Sequence, residues 1–308
     1  MKVLSLFDGI SCGQVALERA GSEVETYYAS EIDDHAISVT QRNHPDTIQL
    51  GDVLGWREWD IGDVDLVMGG SPCQGFSLAG RRLNFDDPRS RLFFEFVAIV
   101  EHFKPTWFLL ENVRMRQDIQ DAISRELGVQ PILINSGLVS AQSRERLYWC
   151  NIPNVSQPDD RGINLKDILE TNPTGVKDRP LERYFNGHEN RLTENGLCHI
   201  GTADLNGMES IKRVYHPNGK SPTLTTNGGG NRETKIATSK TTWRKVTPVE
   251  CERLQNLPDG YTAGISNSQR YKALGNGWTV DVIAHLFSLL TEEGQNKAAK
   301  RGLGAWFA

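Results

Sequence analysis

The 308-residue chain has no CxxC pair and no Cys/His cluster at zinc spacing among its five cysteines, Cys12, Cys73, Cys150, Cys198 and Cys251. That argues against a disulfide framework and a structural zinc, and makes a reducing compartment the default. No segment approaches the roughly 18 consecutive apolar residues that span a bilayer. Nor is there net positive charge: 34 Lys+Arg against 39 Asp+Glu leave −5. Binding of polyanions by bulk charge alone is thereby excluded, and any nucleic-acid contact must come from a local basic surface. The N-terminus, with Lys2 ahead of a short apolar run broken at Asp8, does not read as a signal peptide. No internal repeat or low-complexity tract is visible. The expectation is a soluble intracellular protein, with no membrane partner, large enough for a core domain and a smaller one.

What is present divides near residue 152. Before it, short apolar runs alternate with helical patterns. Val3 to Phe7, Thr26 to Ser30, Asp65 to Met68 and Thr106 to Leu110 read as strands. Val15, Ala16, Leu17 and Ala20, stopped by Gly21, and Leu92 to Phe103 read as helices. Continuous apolar strands separated by helices predict an α/β fold, a parallel sheet with helices on both faces. From 153 to 245 prolines, asparagines and glycines replace the periodic segments, and 227–231 (Asn-Gly-Gly-Gly-Asn) is a turn. Patterning resumes with Thr247-Pro248 and Glu250, a helix start, and a closing helix over about Val280 to Leu290. The expected organisation is a core domain over 1–152, a small loop-rich domain over 153–245, and a segment over 246–308 that returns to complete the first.

In open parallel sheets, ligands collect beyond the carboxyl ends of the strands. Gly9 and Gly13 follow the first strand, and Glu31 follows the second, where a carboxylate can accept ribose hydroxyls. A glycine turn with a solvated acid fits the same spacing, and Asp52 is either a turn residue or an adenine contact. Cys73, in Gly70-Ser71-Pro72-Cys73-Gln74-Gly75-Phe76-Ser77, sits at the mouth of the sheet as inert core or nucleophile. The following stretch to Arg91 is long and carries Arg81, Arg82 and Arg89, which reads as a cationic lid that would lower a thiol pKa. Glu111 in Glu111-Asn112-Val113 is a cap, an ion-pair partner, or, beside a thiolate in an apolar site, a proton donor with a raised pKa. Gln142-Ser143-Arg144-Glu145-Arg146 alone reads as a surface ion-pair ladder.

Together these residues resemble the cytosine-5 DNA methyltransferase family. The likeness covers most of 1–152 and 243–290, in the family's order, and closes with Thr247-Pro248-x-Glu250-Cys251-x-Arg253-Leu254-Gln255 and Tyr271-Lys272-x-Leu274-Gly275-Asn276-Gly277. Ser221-Pro222-Thr223-Leu224-Thr225-Thr226 is similar to part of the family's target-recognition domain. The single-glycine form of the first motif and Gly275-Asn276-Gly277-Trp278 lean towards the branch containing the mammalian de novo enzymes. The absence of a long N-terminal regulatory region points to a bacterial or phage protein acting in the cytoplasm. The resemblance implies a class I, Rossmann-like methyltransferase sheet and S-adenosylmethionine as cofactor, with no metal. It implies duplex DNA as partner, with a cognate restriction endonuclease or none. Cys73 would attack carbon 6 of a flipped-out cytosine, Glu111 would hold and protonate ring nitrogen 3, and Arg146 and Arg144 would support the base and flanking phosphate. Cofactor contacts are implied at Phe7, Gly9, Ile10, Gly13, Glu31, Ile32, Asp52, Val53, Pro72, Leu92, Asn276 and Trp278. Expected DNA contacts are Gln74, Ser77, Arg81, Arg82, Arg89, Lys220, Thr225, Arg232, Lys235 and Arg244. The last four bases belong to a run from 211 to 246 whose only acid is Glu233. Rival readings are the same chemistry on transfer RNA, a non-catalytic DNA-binding paralogue, and a nicotinamide-dependent dehydrogenase, which leaves Pro72-Cys73-Gln74 unexplained.

Overall fold

The computed structural model describes residues 1–71, 91–226 and 231–290. By contact the chain forms two compact units, one of 1–134, 145–157 and the segment from Ile283, the other of 135–144 and 158–282.

The first unit is built on strands β1 (Lys2–Leu6), β2 (Thr26–Ser30), β3 (Ile48–Gln49), β4 (Leu66–Gly69), β5 (Trp107–Val113), β6 (Ile132–Asn135) and β7 (Glu145–Cys150). Between them run α1 (Cys12–Arg19), α2 (Asp34–Asn43), α3 (Arg91–Phe103) and α4 (Gln117–Leu127). The sheet order is β3-β2-β1-β4-β5-β7-β6. Its first five strands pair in parallel, and β7 lies antiparallel to β5. The link 136–144 is too short for the dozen-residue crossover that a parallel strand needs, so β7 enters in the reverse sense. The apolar runs that predicted the strands are the core: Leu4, Leu6, Val67, Phe108 and Leu110 pack with Phe93, Phe96 and Ile99 of α3 and Trp149 of β7. Each large side chain removed from water contributes about 1.5–3 kcal/mol. Asp33 caps α2 by accepting from the His35 and Ala36 amides, and Gly128, at φ 69°, ends α4.

The second unit has β8 (Arg179–Tyr184), β9 (His199–Ala203), α5 (Glu209–Lys212), β10 (Arg213–Tyr215), β11 (Lys235–Ala237), β12 (Thr242–Lys245), α6 (Pro248–Leu254) and α7 (Asn267–Asn276). The five strands close into a barrel in the order β10-β11-β12-β8-β9, around Cys198, Ile200, Val214 and Trp243. Closure explains how a segment that reads as loop from its sequence folds. Strands of three to six residues are too short to show an alternation, yet in a barrel every backbone edge is paired. The segment from 246, expected to rejoin the first domain, divides. Through Val282 it clusters with the second unit, and from Ile283, within α8 (Val280–Phe287), with the first. Among the described residues no helix is long and apolar enough to cross a membrane.

Candidate active site

At the carboxyl end of β1 the backbone does something unusual. Phe7 (φ 55°), Gly9 (φ 61°) and Ser11 (φ 56°) are all left-handed. For the two residues with side chains this costs on the order of 1 kcal/mol or more each, and such strain gathers at functional sites. The loop is held from several sides. The Asp8 amide donates to the Ser30 carbonyl at 3.1 Å. Tyr27 Oη donates to Asp8 Oδ1 at 2.7 Å, and Ser11 Oγ donates to Asp8 Oδ2. Burial is the largest influence on the Asp8 carboxyl and pushes it up to about 6, against the lowering effect of the Ser11, Ser5 and Tyr27 hydroxyls.

Glu31, at the end of β2, faces this loop. Its Oε2 accepts the Gly9 amide at 2.8 Å, and its Oε1 accepts the Ile32 and Asp33 amides at 2.7 and 2.9 Å. A carboxylate has about four acceptor positions, so Glu31 is oriented by three backbone donors and retains one position for a ligand hydroxyl. Ile32 beside it is 73% exposed. Asp52 is exposed and caps the turn that follows, accepting the Leu54 amide at 3.0 Å. Gly13 lies in the first turn of α1. The side chains of Ile10 and Val53 are buried, whereas Phe7 and Leu92 are partly exposed at the edge of the core.

One strand pair away lies the second cluster. Glu111 and Asn112 belong to β5 itself, which extends beyond the apolar run that announced it. Arg146, on β7, is opposite Val113, and its Nε lies 2.9 Å from Glu111 Oε1, with both side chains nearly buried. Asn112 Nδ2 donates to the carbonyl and hydroxyl oxygens of Ser71 at 3.2 and 3.3 Å, tying the segment that follows β4 to the end of β5. Pro72, Cys73, Gln74, Ser77, Arg81, Arg82 and Arg89, with most of the expected lid, lie outside the described residues.

Asn276 and Trp278 belong to the second unit. So does Arg144, whose guanidinium is directed at backbone carbonyls: Nη1 donates to Leu224 at 3.1 Å, and Nη2 to Gly275 and Gly277 at 3.1 and 3.2 Å. Gln142, fully buried, accepts the Leu224 amide and donates to the Leu254 carbonyl and to Gln255 Oε1. The supposed surface ladder is therefore an internal hub at Gln142 and Arg144, with Arg146 on the ion pair to Glu111. Gly275 has its own reason here, since a β-carbon would come within 2.2 Å of the Thr225 carbonyl oxygen.

Three of the bases expected to face DNA are engaged within the protein. Lys220 is half-buried and donates from Nζ to the Ile163 and Ser140 carbonyls at 2.6 and 3.2 Å, and burial lowers its pKa. Lys235 is buried, donates to the Asn231 and Glu233 carbonyls, and is pushed down to about 8 by burial. Arg244 makes a two-pronged buried pair with Glu250 at 2.8 and 2.6 Å. Backbone carbonyls hold Lys220 and Lys235, and the Glu250 carboxylate pairs with Arg244, so groups that composition alone reads as free are engaged within the protein. Thr225 and Arg232 are exposed. Sequence reasoning also passed over Asp8, Tyr27 and Ser11. The available signal was a carboxylate directly after a largely apolar strand; nothing marked Tyr27.

The sequence model of the family described as C-5 cytosine-specific DNA methylase matches residues 1–126 and 129–292. Type II methyltransferase M.NlaX of Neisseria lactamica is 31% identical over 305 residues, covering 92% of this chain and 93% of that one. Type II methyltransferase M.HhaI of Haemophilus parahaemolyticus is 28% identical over 311 residues, covering 93% of each. A crystal structure of a DNMT2 mutant from Spodoptera frugiperda superposes with a TM-score of 0.66 at 20% identity, covering 94% of this chain and 99% of that one. This likeness shows the shared Rossmann-like methyltransferase fold.

Proposed function

Because the chain belongs to the C-5 cytosine-specific DNA methylase family, we propose that it methylates carbon 5 of a flipped-out cytosine in duplex DNA, using S-adenosylmethionine and a transient bond to Cys73. The observation that carries the reading is the end of β5. There Glu111 is paired to Arg146, and Asn112 grips Ser71, two residues before the cysteine.

A thiolate adding to carbon 6 turns carbon 5 into an enamine carbon, which cytosine by itself is not. Glu111 holds ring nitrogen 3 and supplies a proton as the charge develops, and Arg146 keeps the carboxylate aimed. Once carbon 5 carries the methyl group, loss of its proton would expel the Cys73 thiolate from carbon 6 and restore the aromatic ring. Arg144, which the family likeness implies at the base, holds backbone carbonyls of the second unit.

The residues at the ends of β1 and β2 fit the methyl donor. A β-carbon on Gly9 would meet nothing within 4 Å, so open space adjoins the loop backbone. Glu31 keeps an acceptor for one ribose hydroxyl, Ile32 offers an exposed apolar face, and Asp52 an exposed carboxylate. When bound, S-adenosylmethionine supplies the activated methyl group. Asn276 and Trp278 are the further cofactor contacts, as the family likeness implies. DNA contacts are assigned to Gln74, Ser77, Arg81, Arg82, Arg89, Thr225 and Arg232. The setting is the cytoplasm of a bacterium or a phage-infected cell, beside a restriction endonuclease or as an orphan enzyme.

Bisulfite sequencing of DNA from cells expressing the chain is expected to show methylcytosine in one short motif. A duplex carrying 5-fluorocytosine in that motif should become covalently attached to wild-type protein when the methyl donor is present, and not to Cys73→Ser. Glu111→Gln should slow methyl transfer by about 100-fold or more. Absence of the covalent complex with wild-type protein would sink the mechanism.

A further inference from the structure

We propose that Asp8 and Tyr27 are positioning residues for the cofactor, holding the 7–11 loop in the strained shape that receives the methyl donor. The inference rests on the reading of that loop as part of the S-adenosylmethionine site.

Left-handed backbone at Phe7, Gly9 and Ser11 does not hold itself, and relaxing any of the three would swing the Gly9 amide away from Glu31. Backbone bonds to Ser30 and Glu31 oppose relaxation, and the Asp8 carboxylate adds the side-chain fastening. Asp8 Oδ1 takes the hydroxyl of Tyr27, a buried residue of β2 in register with Val3 of β1. Asp8 Oδ2 takes the hydroxyl of Ser11, which also lies 3.0 Å from the Thr40 hydroxyl of α2. Both ends of the loop are thus fastened to elements of the core through a single side chain.

An ionised Asp8 can accept both hydroxyls. In a protonated one, one oxygen becomes a donor and a poorer acceptor, and one of the two fastenings is weakened or reversed. Among the described residues, Glu31 is the charged group acting on Asp8, and it opposes ionisation together with burial; Ser5, Ser11 and Tyr27 favour it. With the Asp8 pKa at about 6, loss of the fastening falls at mildly acid pH. Removing the Tyr27 hydroxyl should move that pH upward, a signature that a purely structural tyrosine would not produce.

The test is calorimetric titration of the intact protein with S-adenosylhomocysteine at a series of pH values. Wild-type affinity is expected to fall about tenfold between about pH 7 and about pH 5, as Asp8 takes up its proton. Tyr27→Phe should shift the midpoint of that fall upward. Asp8→Asn should bind about tenfold more weakly at pH 7 and lose the pH step. Thermal unfolding at each pH reports whether the variants are folded. A Tyr27→Phe profile that superimposes on wild type, or an Asp8→Asn protein with wild-type affinity, overturns the proposal. Glu31→Ala separates the two readings. If it loses binding while the Asp8 and Tyr27 variants do not, positioning alone is wrong. If it binds like wild type, the loop is not the cofactor site and both readings fall.

Discussion

Arg144 is 4% exposed and surrounded by carbonyls, so its charge stabilises backbone and does not act on solvent. Hydrogen bonds from a charged donor are worth about 1.5–3 kcal/mol, and stranding their acceptors costs more than the mean bond. Arg144→Met is therefore expected to destabilise the protein by about 3 kcal/mol or more in urea unfolding. Gly275→Ala is expected to lose about 1–3 kcal/mol by driving a methyl against the Thr225 backbone. A variant as stable as wild type at either position would show that the 224–226 stretch is not held there. Asp8 sets a different balance. Its folded pKa, about 6, lies above the ordinary carboxyl value of 3.8. Stability from this group is thus complete below about pH 4 and is lost as pH rises through about 6, with a range of up to about 3 kcal/mol. Asp8→Asn should flatten unfolding free energy between those two pH values. The carboxylate is kept at a cost to the fold, which is what a functional residue in a strained loop looks like.

At the scale of elements, α6 shows how far a local signal reaches. Thr247, Pro248 and Glu250 announce the helix, and its capping box is present: Thr247 Oγ1 accepts the Glu250 amide, and Glu250 Oε2 accepts the Thr247 amide. What the local signal does not contain is Arg244, which completes the Glu250 carboxylate from β12. Breaking a buried pair from one side is expected to cost about 3–5 kcal/mol, because the other charge is left without a partner. Arg244→Met with Glu250→Gln should therefore lose less than the sum of the single losses, and simple additivity in a double-mutant cycle would contradict the pairing. The same contrast explains which elements were legible. β1, β2, β4 and α3 are written as apolar runs or faces, and their packing needs no distant partner to be read. β5 runs past its apolar stretch into Glu111 and Asn112, because sheet pairing to β7 continues where hydrophobicity stops. The barrel strands are too short to show a period, and the 142–144 hub is held by residues scores of positions away, such as Gln142 by Gln255, which no periodicity encodes.

For the whole molecule, the net charge of −5 offers no bulk attraction to DNA, and within the basic run Lys220, Lys235 and Arg244 are engaged by protein groups. Affinity for DNA should accordingly depend on salt with a slope set by fewer cations than the sequence offers. Replacing Lys220 or Lys235 with methionine is expected to leave the slope of log affinity against log salt unchanged, whereas Arg232→Gln should flatten it by about one unit. A flattened slope for either lysine would return it to the DNA face.

The chain passes between its two units at 134/135, 144/145, 157/158 and 282/283. A polypeptide emerging from the ribosome therefore presents every residue of the barrel unit before the last piece of the sheet unit has been made. The sheet can begin to form early, but its closing segment from Ile283 arrives last. Neither unit corresponds to a continuous fragment that could be cut out and expressed. Nicking within 136–144 would sever both bodies at once.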